Sequence, residues 1–156
     1  MNNVEIIEYH PEYQSSFERL NKAWLERYFT LEPIDRYVLE QPEAAIINPG
    51  GCILLARCGN EIIGTVALKV VEPDVYEMTK MSVNEAHQGK GAGKMLCAAA
   101  IDKAKAIKAK RLLLYTTSVL KTAISIYKKQ GFVDIPLEPG VYERADVKME
   151  YPLSSI

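Results

Sequence analysis

Two spacings of apolar residues alternate along this chain. Residues 4–9, VEIIEY, form a short apolar run that predicts a strand. Pro11 suits the first position of a helix, and Tyr13, Phe17, Leu20, Trp24 and Tyr28 then recur at steps of three or four, which puts them on one helical face. A second, short helix is expected from Pro33, with Ile34, Tyr37 and Val38 on one side, ending before Pro42. After the turn Asn48-Pro49-Gly50-Gly51, residues 52–71 read as two strands joined by Gly59-Asn60. Glu72-Pro73-Asp74 separates them from a further strand, VYEMTKMSV, at 75–83. A glycine-rich stretch comes next, HQGKGAGK at 87–94, and then a helix to about Ala109. RLLLYTT reads as a short buried strand, and LKTAISIYKKQ as a helix stopped by Gly131. FVDIPL and ADVKMEYPL are two last strands on either side of Glu138-Pro139-Gly140. The alternation predicts an α/β (α+β) fold with a mixed sheet. With no repeat, low-complexity tract or linker, the expectation is one domain over residues 1–156.

Composition narrows the class. A chain of 156 residues can bury roughly 70% of the surface that its unfolded form exposes. The 48% apolar and 25% charged fractions are ordinary for a globular protein, and no apolar run of the length a membrane helix needs is present. MNNVEIIEYH lacks the basic-then-apolar order of a signal peptide, and three cysteines, Cys52, Cys58 and Cys97, have no metal-like spacing. The expected setting is therefore the reducing cytoplasm, with no metal and no membrane.

The net charge of −1 conceals an asymmetry: between His87 and Gln130 there are ten Lys or Arg residues and one acid, Asp102. A basic middle in an otherwise acidic chain suggests an anionic ligand held there. Lys103, Lys105, Lys108 and Lys110 are equally suited to a solvated helix face. A nucleic-acid reading of the same region lacks interleaved aromatic residues on which bases could stack, so no nucleic-acid partner is expected.

The glycines at 89, 91 and 93 identify the anion more closely. A P-loop requires Gly-Lys followed by Ser or Thr, whereas Gly93-Lys94 is followed by Met95. A dinucleotide fingerprint starting at Gly89 would place its last glycine at Lys94, and the next strand carries no acid for a ribose. The pattern that fits is Gln-x-x-Gly-x-Gly, as Gln88-Gly89-Lys90-Gly91-Ala92-Gly93. Here the chain resembles the GNAT superfamily of acetyl-CoA-dependent N-acetyltransferases, whose pyrophosphate-binding loop has this form. A second motif agrees: Ala123-x-x-x-Tyr127 followed by Gly131-Phe132. The order of elements also matches along almost the whole chain.

The resemblance implies a single-domain, mostly antiparallel sheet of about seven strands, with helices on both faces and a splayed central strand pair. It implies acetyl-CoA as co-substrate. The physical basis is plain: the first N–H groups of a helix lack intrahelical acceptors and mark its positive end, so a pyrophosphate can bind there if no Cβ blocks it. Gln88, Gly89, Lys90, Gly91, Ala92, Gly93 and Lys94 are the residues expected to hold it, although glycines there could also simply shape a helix entry. Met81, Ser82 and Val83 on the preceding strand would border the pantetheine arm, with the Val83 N–H polarising the thioester carbonyl. Thr117 and Ala123 are expected on the opposite side. Tyr127 falls at the family's general-acid tyrosine, and Glu77, eleven residues before Gln88, at the general-base glutamate of one branch. Ordered water serves as base in other members. By alternation Glu77 would share a face with Val75, Thr79 and Met81. Many members carry an asparagine seven residues before the tyrosine; here that position is Leu120, leaving Thr117 or Ser118 to substitute.

The acceptor would bind between the first two helices and the last two strands. Trp24, Tyr28 and Tyr142 are the candidate contacts, with Phe29 and Tyr37 nearby and Glu26, Glu32, Asp35, Glu138 and Glu143 as acids. Aromatics with carboxylates suit a cationic amine. The expected reaction is transfer of an acetyl group from acetyl-CoA to a primary amine, small-molecule rather than protein, by direct attack. The alternative is a non-catalytic acyl-CoA-sensing module of the same fold. The amine, the acyl length and the oligomeric state, with a homodimer among the options, are not fixed by the sequence.

Overall fold

The computed structural model describes residues 3–140, 142 and 144–153. Strand β1 (Val4–Glu8) leads through a 3-10 turn into helices α1 (Gln14–Tyr28) and α2 (Pro33–Glu40). A π-helical turn at Glu43–Ile47, which the hydrophobic spacing did not predict, precedes β2 (Cys52–Cys58), β3 (Glu61–Glu72) and β4 (Val75–Val83). Helix α3 (Ala92–Ala106), β5 (Arg111–Thr116), α4 (Lys121–Gln130), β6 (Val133–Ile135) and β7 (Val147–Tyr151) complete the order. Helix α3 ends three residues before the expected Ala109, because Lys108 turns left-handed at φ 59°.

The seven strands form one sheet in the order β1-β2-β3-β4-β5-β7-β6. Among the described residues only the central pair β4 and β5 runs parallel; its neighbours pair antiparallel. Each face carries two helices. Phe17, Leu39, Ile46, Ile53 and Leu55 pack under α1 and α2, while Leu54, Val66, Leu96, Ala100 and Leu114 pack under α3 and α4. Burial on both faces explains why β2 and β3 read as near-continuous apolar runs rather than as alternating ones.

Two irregularities in β4 shape the centre of the sheet. Its pairing with β5 covers only Val75, Tyr76 and Glu77, opposite Arg111, Leu112 and Leu113. Beyond Glu77 the two strands separate, although β4 stays paired with β3 to Val83 and β5 stays paired with β7 to Thr116. The expected splay is therefore present, and Glu77 lies at its vertex.

The second irregularity is a bulge. Thr65 pairs with Ser82, but Ala67 pairs with Thr79, so β4 carries one extra residue, and Lys80 turns left-handed at φ 55°. This corrects the expected alternation. Tyr76 and Met78 pack on the α3 side, as do Met81 and Val83 beyond the bulge. Met81 thus faces away from Glu77, while Lys80 and Ser82 turn towards α1 and α2. The Thr65 hydroxyl donates to the Lys80 carbonyl at 2.7 Å and receives a 2.9 Å hydrogen bond from the Asn21 side-chain amide, which satisfies polar groups that the bulge takes out of the ladder.

Candidate functional site

The opening between β4 and β5 forms two connected cavities. The outer one, about 880 Å³, runs from Met81, Ser82 and Val83 past the glycine loop to α4. The inner one, about 90 Å³, is bounded by Glu77, Lys80, Thr117, Tyr127, Tyr142 and Arg144. Trp24, Met81, Leu120 and Ala123 border both.

The glycine loop ends the outer cavity. Gly91 is the residue before the first turn of α3 and is left-handed at φ 82°, a conformation that disfavours any side chain with a Cβ. A Cβ there would meet nothing within 4 Å, so the glycine leaves open space beside the helix end. The first return bond of α3 runs from Met95 N–H to the Gly91 carbonyl at 3.1 Å, so the N–H groups of Ala92, Gly93 and Lys94 have no intrahelical acceptor. These donors and the positive end of the helix dipole are of the kind that could hold an anion.

Not every loop residue takes the role expected of it. Gly93 serves packing, because a Cβ there would lie 3.3 Å from Ile126 on α4. The Ala92 methyl is buried in the core, which leaves only its main chain to meet a ligand. Lys90 turns to the His87 ring, with 2.8 Å between Nζ and Nδ1, and does not border the outer cavity, whereas Gln88, Gly89 and Lys94 do. The Ser82 hydroxyl lies 3.2 Å from that of Thr65, leaving its main chain to the cavity. Asn84 N–H donates to the Ile63 carbonyl at 2.7 Å, and alternation then turns the Val83 N–H away from β3, towards the opening.

At the inner end, Glu77 is 3% exposed and accepts a 2.8 Å hydrogen bond from the Tyr142 hydroxyl. Burial pushes its carboxyl above the ordinary carboxylate range, against the Tyr142 hydrogen bond and the charges of Lys69, Lys80 and Arg144. A carboxylate raised in this way is a stronger base than an ordinary one. Tyr127, on α4, is buried with its ring edge-on to Phe132, centroids 5.9 Å apart. Burial, then the neighbouring Cys97, raises its phenol above the ordinary value, so it stays protonated and has a proton to give.

The buried Lys80 and Asp35 and the partly buried Arg144 form a cluster beside this acid. The Lys80 ammonium, 5% exposed, lies 2.8 Å from Asp35 Oδ1. Arg144 grips both Asp35 oxygens, at 2.9 and 3.0 Å, and Glu32 Oε2 at 2.5 Å. Asp35 also accepts from the Glu32 backbone N–H at 3.0 Å, closing the capping box of α2. Burial acts to raise the Asp35 carboxyl, but the Arg144 hydrogen bonds and the Lys80 charge outweigh it and hold the group at about 2. Burial pushes the Lys80 amine down and Asp35 opposes it; the short contact to an ionised carboxylate keeps the pair charged.

The acceptor candidates fall in two places. Trp24 borders both cavities and Tyr142 the inner one, but Tyr28 borders only the outer. Tyr37 is exposed and borders neither. Among the acids, Glu32 and Asp35 are bound by Arg144 and Lys80, and Glu138 by Lys148 and Tyr115. Glu26 is solvent-exposed and borders neither cavity, and Glu143 lies outside the described residues. One of the protein's own cations also covers two of the aromatic rings: Arg144 lies 5.1 Å from the Tyr142 ring centroid and 5.8 Å from that of Phe29. Thr117 borders the inner cavity, as does Leu120, while Ser118 donates from both N–H and Oγ to Asp146.

Sequence reasoning missed Lys80 and Arg144 as site residues. The one available signal was a lysine in the middle of an otherwise buried strand; Arg144 carried none.

Comparison with known proteins agrees with this geometry. A model of the acetyltransferase (GNAT) family matches residues 9–132. Over 105 residues the chain is 32% identical to the uncharacterized N-acetyltransferase YjgM of Escherichia coli (strain K12), an overlap of 65% of this chain and 63% of that protein. The match thus spans less than two thirds of that relative's length. In fold the chain is similar to a GNAT-family acetyltransferase from Staphylococcus aureus Mu50, with a TM-score of 0.86 at 22% identity over 97% of this chain and 100% of that one. It is similar, too, to the PaiA N-acetyltransferase of Thermoplasma acidophilum in complex with coenzyme A, with a TM-score of 0.77 at 19% identity over 97% and 99% of the two chains. The chain belongs to the acetyltransferase (GNAT) family.

Proposed function

We propose that this protein transfers the acetyl group of acetyl-CoA to the primary amine of a small molecule by direct attack, without a covalent enzyme intermediate. One observation supports this above the others. The split between β4 and β5 joins an anion-binding helix end to a small inner cavity that holds a buried acid and a buried phenol. The free N–H groups at the start of α3, with Gln88 and Lys94, would hold the pyrophosphate. The unpaired edge of β4 would bind the pantetheine arm, and the Val83 N–H would stabilise negative charge developing on the thioester oxygen. Glu77 would take the proton from the attacking amine, and Tyr127 would give one to the departing thiolate. An inner cavity of about 90 Å³ suits a small amine better than a protein chain.

Release of the CoA thiol in the presence of a panel of primary amines tests the reading. Amine-dependent release is expected. Tight acetyl-CoA binding with no release from any amine would leave a non-catalytic acyl-CoA-binding module instead.

A further inference from the structure

The inner cavity carries information on the acceptor beyond its amine. Among the described residues, the charged groups that line it are Glu77, Lys80 and Arg144. Glu77 commits one oxygen to the Tyr142 hydroxyl, and its second oxygen has no partner among the described residues. Arg144 spends three N–H groups on Asp35 and Glu32. A guanidinium has five, so two remain unmatched among the described residues. They stand on a head group that is fixed from behind by two carboxylates and in front by the Tyr142 ring.

That arrangement selects against one class of acceptor. A polyamine, or any amine with a second positive charge, would bring that charge towards Lys80 and Arg144. The acids that could have received it, Glu32 and Asp35, are already bound, and the Phe29 and Tyr142 faces are already covered by Arg144. Like charges brought together in a poorly solvated site repel strongly. The two cations and two acids of the cluster cancel, so among the described residues the negative charge left at the cavity is that of Glu77. Among its charged groups, the spare hydrogen-bonding capacity is one carboxylate oxygen and several cationic N–H groups.

We infer that the acceptor is an amine that also carries a carboxylate, with its amine on Glu77 and its carboxylate on the free edge of the Arg144 guanidinium. Planar carboxylates match a guanidinium edge in a two-pronged hydrogen bond, which a neutral amide cannot do. The inference replaces the cationic acceptor that aromatics and acids in the sequence suggested. It rests on the acetyl-transfer reading.

Matched acceptors test it without altering the protein. CoA release is measured with triplets: an amino acid, its primary amide, and the amine left when the carboxyl group is removed. The amide's amine loses its proton more readily, so the comparison is biased against the inference. At least a tenfold higher kcat/KM is expected for the carboxylate member of a triplet. Equal or higher kcat/KM for the amides or the simple amines would overturn the carboxylate inference while leaving acetyl transfer standing. No release from any primary amine would overturn both. In a folded Arg144→Gln protein, KM for the carboxylate acceptor should rise tenfold or more with KM for acetyl-CoA unchanged; an unchanged acceptor KM would remove Arg144 from the site. If that variant does not fold, the triplets decide alone.

Discussion

The hydroxyl of Tyr142 donates a 2.8 Å hydrogen bond to Glu77 Oε2, joining a residue of the closing loop to the vertex of the split sheet across 65 positions of sequence. The bond favours the ionised carboxylate and so opposes the burial that raises its pKa. A base works only when deprotonated, so kcat/KM should fall as pH drops through the Glu77 pKa, which lies above the ordinary carboxylate range. Tyr142→Phe removes the hydrogen bond while Lys69, Lys80 and Arg144 still face the acid. The Glu77 pKa should then rise further, and the acid limb of the pH profile should move to higher pH. Glu77→Gln should abolish that limb and lower turnover ~10²–10⁴-fold. An acid limb at the same pH in the wild-type and Tyr142→Phe proteins would separate Tyr142 from the base.

Gly91 and Gly93 should respond differently to the same substitution. Gly91→Val places a branched side chain at φ 82°, projecting into the open space beside the α3 N-terminus. Acetyl-CoA affinity should fall tenfold or more, equivalent to about 1.4 kcal/mol. Gly93→Val instead crowds Ile126 and should lower the melting temperature, since overpacking costs ~1–3 kcal/mol. Calorimetry and thermal denaturation on both variants check the pair. Unchanged cofactor affinity in folded Gly91→Val would detach the loop from the anion.

Most of the architecture was legible because it depends on local spacing. The steps between Phe17, Leu20 and Trp24, the Gly59-Asn60 turn and Gly131 each act within a few residues, and the seven-stranded sheet follows from their order. The bulge at Lys80 was not legible. It is a property of register between β3 and β4, and it needs Thr65 and Asn21 to satisfy the displaced carbonyl. For that reason Met81 was assigned to the wrong face. The charge cluster was hidden for a related reason: Lys80 and Arg144 lie 45 and 109 positions from Asp35. Composition shows acids near aromatics, but not that cations from elsewhere already occupy them. Gly89, Gly91 and Gly93 look alike in the sequence, and only the packing of α4 against α3 assigns Gly93 to structure.

Asp35 should be a pillar of stability as well as a neighbour of the site. Its carboxyl is held at about 2, below the unfolded value near 4, so the folded state is favoured while the group is ionised. That contribution, about 2 kcal/mol, is complete above about pH 4 and is lost as pH falls towards 2. Asp35→Asn leaves Lys80 buried beside a neutral partner and should cost ~3–5 kcal/mol at neutral pH. Denaturant titrations from pH 2 to 7 check both statements. A variant as stable as wild type would show that the cluster contributes nothing net.

Tyr127 should matter to turnover and not to binding. Its phenol is buried and its pKa is raised, chiefly by desolvation, so it holds a proton across the working pH range. A thiolate leaving group needs that proton as the C–S bond breaks, since a thiol of pKa about 8.5 is mostly protonated at neutral pH. The ring is positioned independently of the hydroxyl, edge-on to Phe132 and on an α4 that Gly131 stops at φ 117°. Tyr127→Phe therefore keeps the packing and removes only the donor. Turnover should fall ~10²–10⁴-fold while the acetyl-CoA dissociation constant stays within about twofold. A tyrosine that merely fills the core predicts the opposite outcome, near-normal turnover in a folded variant, and would transfer the proton-donor role to solvent in the inner cavity.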